Sequence, residues 1–574
     1  MLRSRSMGTN ACSGLSRGVL LCLFAAVGCS GGTRHDKLGD GGGLSASDGG
    51  STADTGVRAG QCIPGAKTCA NGQATFCRDD GTLAQYECDT VQGMTCTTTG
   101  CRGACDLSEV VDSYIGCDYY PTVTLNSVWS SFSFAVAVSN TSSVSTHVTI
   151  TRGSTVVQQA DLAANQLQTF NLPWVPELKG GDITCTTPPA AGLTRTVAAG
   201  AYRVRTDRPV TVYQFSPLEY QLDPAPATCP TIKGQCAESV VEQCYSYSND
   251  ASLLLPSTAL TGNYTVLSWP SQAQGSGFIA ITATQDGTQV QVVGTGAFAA
   301  GAGIDATGKG TVTLDRGGVL ELVSAMSGDM SGTRIRSSKP VQVISGHSCA
   351  NVPTTTTGFC DHLEEVVFPE DTLGKDYVVA RPLYADLTPT PYLVRVGAIA
   401  NDTHVSFDPK LREDLTLAAG AFAELLVDGS APPNLRVTAD KAVLVAEYML
   451  GQEALPVKSG VGDPSLSTAV PIAQYRDSYL FTAPVTYAVN LASVIAKRGA
   501  SVKVDGKTIA AGDFVTVGAS EYGVATVTLD ANTQVHSVTA DQEVGLTVYG
   551  YGLYTSYMYP GGADLQRITV PILI

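Results

Sequence analysis

Residues 202–213 read YRVRTDRPVTVY, and the pattern returns as TRIRSSKPVQVI at 333–344, LRVTADKAVLVA at 435–446 and SVTADQEVGLTV at 537–548. Each copy alternates apolar with polar or small residues on both sides of a short polar centre, the signature of half-buried strands joined by a turn. Asp207, Ser338, Asp440 and Asp541 occupy the centre, where a short polar side chain can hydrogen-bond its own backbone, and Pro209 and Pro340 pre-set φ there. The expectation is four β-hairpins.

A second marker keeps step with them. Asp250-Ala-Ser-Leu-Leu-Leu-Pro256 is followed by Tyr264, Leu363-Glu-Glu-Val-Val-Phe-Pro369 by Tyr377, and Ser467-Thr-Ala-Val-Pro471 by Tyr479. These prolines are 113 and 102 apart, and the hairpin positions Pro340, Ala442 and Glu543 are 102 and 101 apart. Going back one copy, Pro121 precedes Pro256 by 135 and Pro209 precedes Pro340 by 131, so the first copy carries extra length. Between the markers lie further alternating stretches, such as 278–284 and 289–292 flanking Asp286-Gly287, a strong hairpin signal. Self-similarity at about 100 residues predicts an all-β chain of tandem β-sandwich-like units, at 118–249, 250–360, 361–462 and 463–574. A β-propeller is the alternative, although its blades usually repeat every 40 to 50 residues or so.

Upstream, eight cysteines fall between Cys62 and Cys117 in 56 residues, with turn formers Gly65, Gly72 and Gly81 between them. Such density predicts a small disulfide-rich module at 61–117, whose connectivity the spacing leaves open. The spacings are not paired zinc knuckles and the module holds no His, which argues against metal. Six further cysteines follow, with Cys185, Cys229, Cys236 and Cys244 around a Pro-rich insertion and Cys349 and Cys360 read as a local disulfide pair.

The first residues read as an address. Arg3, Arg5 and Arg17 precede the apolar run 18–28, too short to span a bilayer but suited to a signal peptide at 1–28. Ala26-Val27-Gly28-Cys29 resembles the lipobox of bacterial lipoproteins, which implies lipidation of Cys29, a membrane anchor through lipid, and a cell-envelope location, outer membrane by the following Ser30. Cleavage removes three Arg and takes the net charge from −16 to −19. Residues 30–60 carry almost nothing large and apolar and read as a flexible linker. A chain this acidic, with no clustered Lys or Arg, repels a phosphate backbone, so no nucleic acid partner is expected.

The stretch Ser345-Gly-His-Ser-Cys-Ala350, with Phe359-Cys-Asp-His-Leu-Glu-Glu365 and Leu373-Gly-Lys-Asp-Tyr377, resembles the IgGFc-binding protein N-terminal domain family, and the neighbouring repeats at 118–574 fit the same likeness. The resemblance implies an exported binding protein, but no Fc-contact motif carries over residue by residue.

His347-Ser-Cys349 and Cys360-Asp-His362 could in principle compose a Cys2His2 zinc site, since i and i+2 on a strand share a face. A disulfide flanked by hydrogen-bonded histidines accounts for the same residues and removes the nucleophile from any Cys-His scheme. The 346–350 segment lacks the final Gly and following helix of a nucleophile elbow. The 303–310 segment has Gly310 where a phosphate loop needs Ser or Thr. The expectation is therefore no catalytic residue, no metal and no cofactor, in a non-enzymatic protein with a binding or adhesive role toward a protein or glycan ligand. The competing reading is an extracytoplasmic carbohydrate-active or proteolytic enzyme on an all-β scaffold, and a cleft with paired acids would favour it.

Overall fold

The computed structural model describes residues 62–570, apart from 79–80, 107–111, 183–191, 224–243, 431–433 and 456–460. The predicted lipid site Cys29 and the linker 30–60 lie outside the described residues. What is described is nearly all β, a disulfide-rich module followed by tandem sandwich-like units.

The module is a three-stranded sheet, Lys67–Ala70, Gln73–Cys77 and Leu83–Glu87, with a hairpin of Thr95–Thr97 and Gly100–Arg102. Bridges join Cys62 to Cys77, Cys69 to Cys96, Cys88 to Cys101 and Cys105 to Cys117. Sulfur also fills the interior: Cys88, Cys101, Cys105 and Cys117 pack with Ala74 and Met94.

Each later unit is built from two sheets. In 361–468 the outer sheet runs Asp376–Val379, Leu435–Ala439, Thr403–Asp408, Leu415–Leu417, and the inner sheet runs Phe422–Val427, Tyr392–Ala398, Val443–Met449, Ser465–Thr468. The preceding unit repeats that order with Asn263–Thr265, Arg334–Ser337, Thr288–Val293, Lys309–Leu314 and with Val319–Val323, Gly277–Ala283, Val341–Ala350, Asp361–Val366. Outer strands alternate buried and exposed, as Thr288–Val293 does, whereas inner strands such as Val341–Ala350 are buried throughout, because both of their faces are covered. No propeller forms; in the two middle units a four-stranded outer sheet and an inner sheet account for the 100-residue period, while the first and last units join their halves through one long bent strand into seven- and eight-stranded sheets.

The four expected hairpins are corrected by this pairing. Arg334–Ser337 pairs in the outer sheet and Val341–Ala350 in the inner one, so the polar centre is a corner between sheets. The same holds for Leu435–Ala439 and Val443–Met449. In the first and last units the corner lies within one long bent strand, Tyr202–Phe215 and Val535–Gly552, whose halves bond different partners. Asp286-Gly287 likewise carries the chain from the inner strand Gly277–Ala283 to the outer strand Thr288–Val293. In both cases the turn bends the chain from one sheet to the other without reversing its pairing direction, since 277–283 and then 288–293 run antiparallel along 350–334 in one sense; which sheet the next strand joins is decided by packing.

Two recurring devices lock the corners. The polar side chains at the corner accept a neighbouring amide rather than their own: His147 N donates to Asp207 (2.8 Å), Gln289 N to Ser338 (2.9 Å), His404 N to Asp440 (2.8 Å) and Ser501 N to Asp541 (2.8 Å). The marker tyrosines bury their rings and donate to the first residue past the corner. Tyr264 bonds the Val341 carbonyl, Tyr377 that of Val443 and Tyr479 that of Val544, at 2.6, 2.6 and 2.5 Å. In the first unit the equivalent is Tyr119 on Val210 (2.6 Å), which lies before Pro121, not after it.

Candidate functional site

The strands that follow the four corners come together at the middle of the molecule. Ala251–Leu253, Asp361–Val366, Ser465–Thr468 and Thr555–Pro560 each close the inner sheet of the unit before them. Each packs on the next, and the last packs on the first. Side-chain carboxylates tie these axial strands together. Asp250 accepts from its neighbour Ala251 N (2.9 Å), from Glu364 N (3.1 Å) on the second strand, from Ser465 Oγ (2.7 Å) and Leu466 N (3.1 Å) on the third, and from Met558 N (3.4 Å) on the fourth. Asp361 accepts from Asn249 N (2.7 Å), Thr555 Oγ1 (2.7 Å) and Ser556 N (3.2 Å). Asp463 accepts from Gln452 N (3.2 Å), and Glu365 accepts from Ser252 Oγ (2.6 Å).

All four acids are buried. Burial pushes the Asp250, Asp361 and Glu365 carboxyls well above the ordinary carboxylate range, against the opposing pull of the donors around them, and pushes Asp463 up to about 8. Asp361 is raised further by its negative neighbour Asp463. Sealed from solvent and committed to backbone donors, this acid group can hold four strands in register; it cannot reach a substrate.

The 345–365 segments that stood out in the sequence form the wall of this centre. Cys349 and Cys360 are joined as a disulfide, so two of the four ligands of the conceivable zinc arrangement are consumed. The Nδ1 of His347 accepts from the Cys349 amide (3.1 Å), and burial, then the nearby His362, push its pKa down to about 3. His362 stacks on Phe278, with Nε2 at 3.2 Å from Glu364 and 3.4 Å from Thr124. Glu364 in turn accepts from Thr124 Oγ1 (2.7 Å) and Gln214 Nε2 (3.0 Å) of the first unit. Ser348 takes the Ser276 amide (3.0 Å) on its hydroxyl and has neither histidine as a base. The 303–310 segment closes on itself, with Asp305 accepting from the amides of Thr307 and Lys309, and runs into the strand Lys309–Leu314. The residue pattern singled out the His and Cys but not Asp250 and Glu364, whose carboxylates tie strands of different units, nor Asp463, whose carboxylate holds Gln452 of its own unit. Asp361 and Asp463 are 102 apart, the step of the repeat markers, and that spacing was the available signal.

These segments fall inside a matched region. The sequence model described as IgGFc binding protein covers residues 250–550, more than half of the chain. The chain belongs to the IgGFc-binding protein family. A human relative named IgGFc-binding protein is 28% identical over 344 residues, which is 57% of this chain and 6% of that protein. The chain thus corresponds to a small part of that relative's length. The family match takes in three axial strands in full and leaves the disulfide-rich module and most of the first unit outside it. The disulfides among the described residues are those of an oxidising, extracytoplasmic compartment. No helix among the described residues is long and apolar enough to cross a membrane.

Proposed function

We propose that this chain is a non-enzymatic binding protein of the cell envelope. Lipid on Cys29 attaches it to the outer membrane, residues 30–60 serve as a tether, and the β units present a surface to a protein or glycan ligand. Membership of a family that includes a human protein named for binding IgG Fc carries the reading. The interior chemistry supports it, since the acids and histidines of the family segments are spent on holding the axial strands.

Two measurements test it. Labelled palmitate should enter the wild-type chain expressed in a Gram-negative host and not Cys29→Ala, which should appear in the soluble fraction. The mature chain from residue 29 should retain a partner from panels of glycans, mucins and immunoglobulin. Turnover of a sugar or peptide substrate with no ligand retained would refute the binding role.

A further inference from the structure

A cleft of about 620 Å³ lies between the disulfide-rich module and the first two units, within the usual range of about 300–1,000 Å³ for small-ligand sites. Its charge is inverted relative to the chain. The whole sequence carries 35 Lys and Arg against 51 Asp and Glu, yet among the described residues the cleft is lined by Arg78, Arg203, Arg316, Lys339 and Arg567 against Glu87 and Asp118.

Some of these cations are already spent. Arg203 grips Asp118 through two nitrogens (2.6 and 3.1 Å), and Arg78 reaches Asp112. Arg316 bonds Glu87 across the module boundary (3.1 Å), but its buried Nε has no acceptor. Lys339 donates only to the Asp286 carbonyl, and Arg567 has no carboxylate within ion-pair distance among the described residues. Both are half-buried at the cleft wall, where the corner turn 338–340 meets the C-terminal segment. With no carboxylate partner among the described residues, the two present positive charge to the cleft, which suits an anion. The rest of the wall offers the side-chain amides of Gln73 and Gln85 and the hydroxyl oxygen of Ser257, which donates to Asp118 and can still accept, while Gln92 is spent on the Cys117 carbonyl.

We infer that this cleft binds an acidic saccharide, a short sugar chain bearing carboxylate or sulfate, with Lys339 and Arg567 on the anionic group and the amides and the Ser257 hydroxyl on the sugar. A long polyphosphate is disfavoured by the acidic remainder of the chain, and a lipid tail by the polar walls. The inference rests on the binding reading above and gives it a ligand class. It places the site outside the matched region on one side, since the module and Arg567 both fall beyond residues 250–550.

The test is equilibrium binding of the mature full-length chain to fluorescein-labelled hexasaccharides of chondroitin sulfate, hyaluronan and neutral maltose. The sulfated and the carboxylated probes separate the two sources of charge, and binding of either supports the site. Affinity should exceed that for maltohexaose by roughly tenfold or more and weaken between about 50 and 300 mM salt. Lys339→Glu with Arg567→Glu should abolish it, Lys339→Gln with Arg567→Gln should lower it roughly tenfold, and both should melt like wild type. Lys503→Glu with Lys507→Glu, on the last unit, should leave it unchanged. Equal binding of all three probes, no binding of any, or a Gln pair that binds like wild type would each overturn the inference. If immunoglobulin or a mucin is still retained when the acidic hexasaccharides are not, the cleft assignment falls alone; if nothing is retained, the binding reading falls with it.

Discussion

The disulfide-rich module and the β units solve the same problem with different materials. In 56 residues the module has little apolar surface to bury, and four of its cysteine sulfurs double as its core. The units, at about 100 residues or more each, bury continuous runs of Val, Ile, Leu and Tyr, and among the described residues sulfur stands apart from that core, as at Cys349–Cys360. What remains for them is a specificity problem, because units of the same strand pattern could pair wrongly. Directional polar groups meet it: the exposed corner clasps, the buried tyrosine hydroxyls and the buried axial acids each demand fixed partners. Covalent bonds fix the small region and polar satisfaction fixes the large one.

Reduction should separate the two regions most sharply. Native bridges in small domains are each worth about 2–5 kcal/mol, so complete reduction should unfold the module while the units stay folded. Hydrogen exchange should show 62–105 losing protection and 277–283 or 392–398 keeping it. Module amides that stay protected after full thiol labelling would contradict the contrast.

The largest point effect belongs to the axial strands. Asp250→Ala strands amide and hydroxyl donors from three other strands in the buried centre. Unpaired buried donors cost about 1–3 kcal/mol each, so a total loss of at least about 3 kcal/mol is expected by urea unfolding. A near-neutral Asp250→Ala would remove the axial acids from the account of what orders the units.

Protonation sharpens the same contrast, because the module holds no buried acid with a raised carboxyl among the described residues. The raised carboxyls of Asp361, Glu365, Asp463, Glu321 and Glu447 are held protonated by burial at pH values where the unfolded chain has released its protons. Their contribution is complete below about pH 4 and is lost as pH rises, for Asp463 through about 8. His347, depressed to about 3, acts oppositely: its contribution is complete above about 6.5 and is lost as pH falls toward 3. Melting of the units should therefore be higher near pH 5 than near pH 8. Glu447, raised by burial alone and facing Tyr392, Tyr549 and Tyr551, is the cleanest probe. Glu447→Gln should stabilise by about 1–3 kcal/mol at pH 8 and by little near pH 4. A gain equal at both pH values would show that ionisation of Glu447 is not the cause.

Much of this was legible in the residues. Period-two alternation located the strands, and the paired markers measured the repeat, because outer strands bury one face and the corner turns need short polar or Pro residues. The sheet membership of each strand was not legible. Asp286-Gly287 has the composition of a tight hairpin turn, yet its flanking strands do not pair with each other and it joins two sheets, since turn residues dictate a bend and nothing about the surface on which the next strand lands. The polar centre was equally hidden: Asp250 looks like any acid opening a strand until four strands from across the chain converge on it. His347, Cys349, Cys360 and His362 were visible as a cluster, and the resemblance they carried led to the family, but their setting in a buried wall came only from the fold.

The smallest effect is the most specific to the units. In Tyr377→Phe the ring still fills its place in the core, and only the hydroxyl that donates to Val443 and accepts from Gly374 N (3.0 Å) is lost. Two buried backbone groups are left without that partner, which should cost roughly 1–2 kcal/mol and lower the urea midpoint without changing the slope. Tyr264→Phe should behave alike, since its hydroxyl donates to Val341 and accepts from Thr261 N (3.3 Å). The two share no partner, so the double variant should add to within about 0.5 kcal/mol. Exchange protection of the module should not move in any of the three. If Phe proves neutral while Tyr377→Leu destabilises, the corner is held by ring packing and the hydroxyl is incidental, which would make the units resemble an ordinary apolar core more closely than the contrast with the module allows.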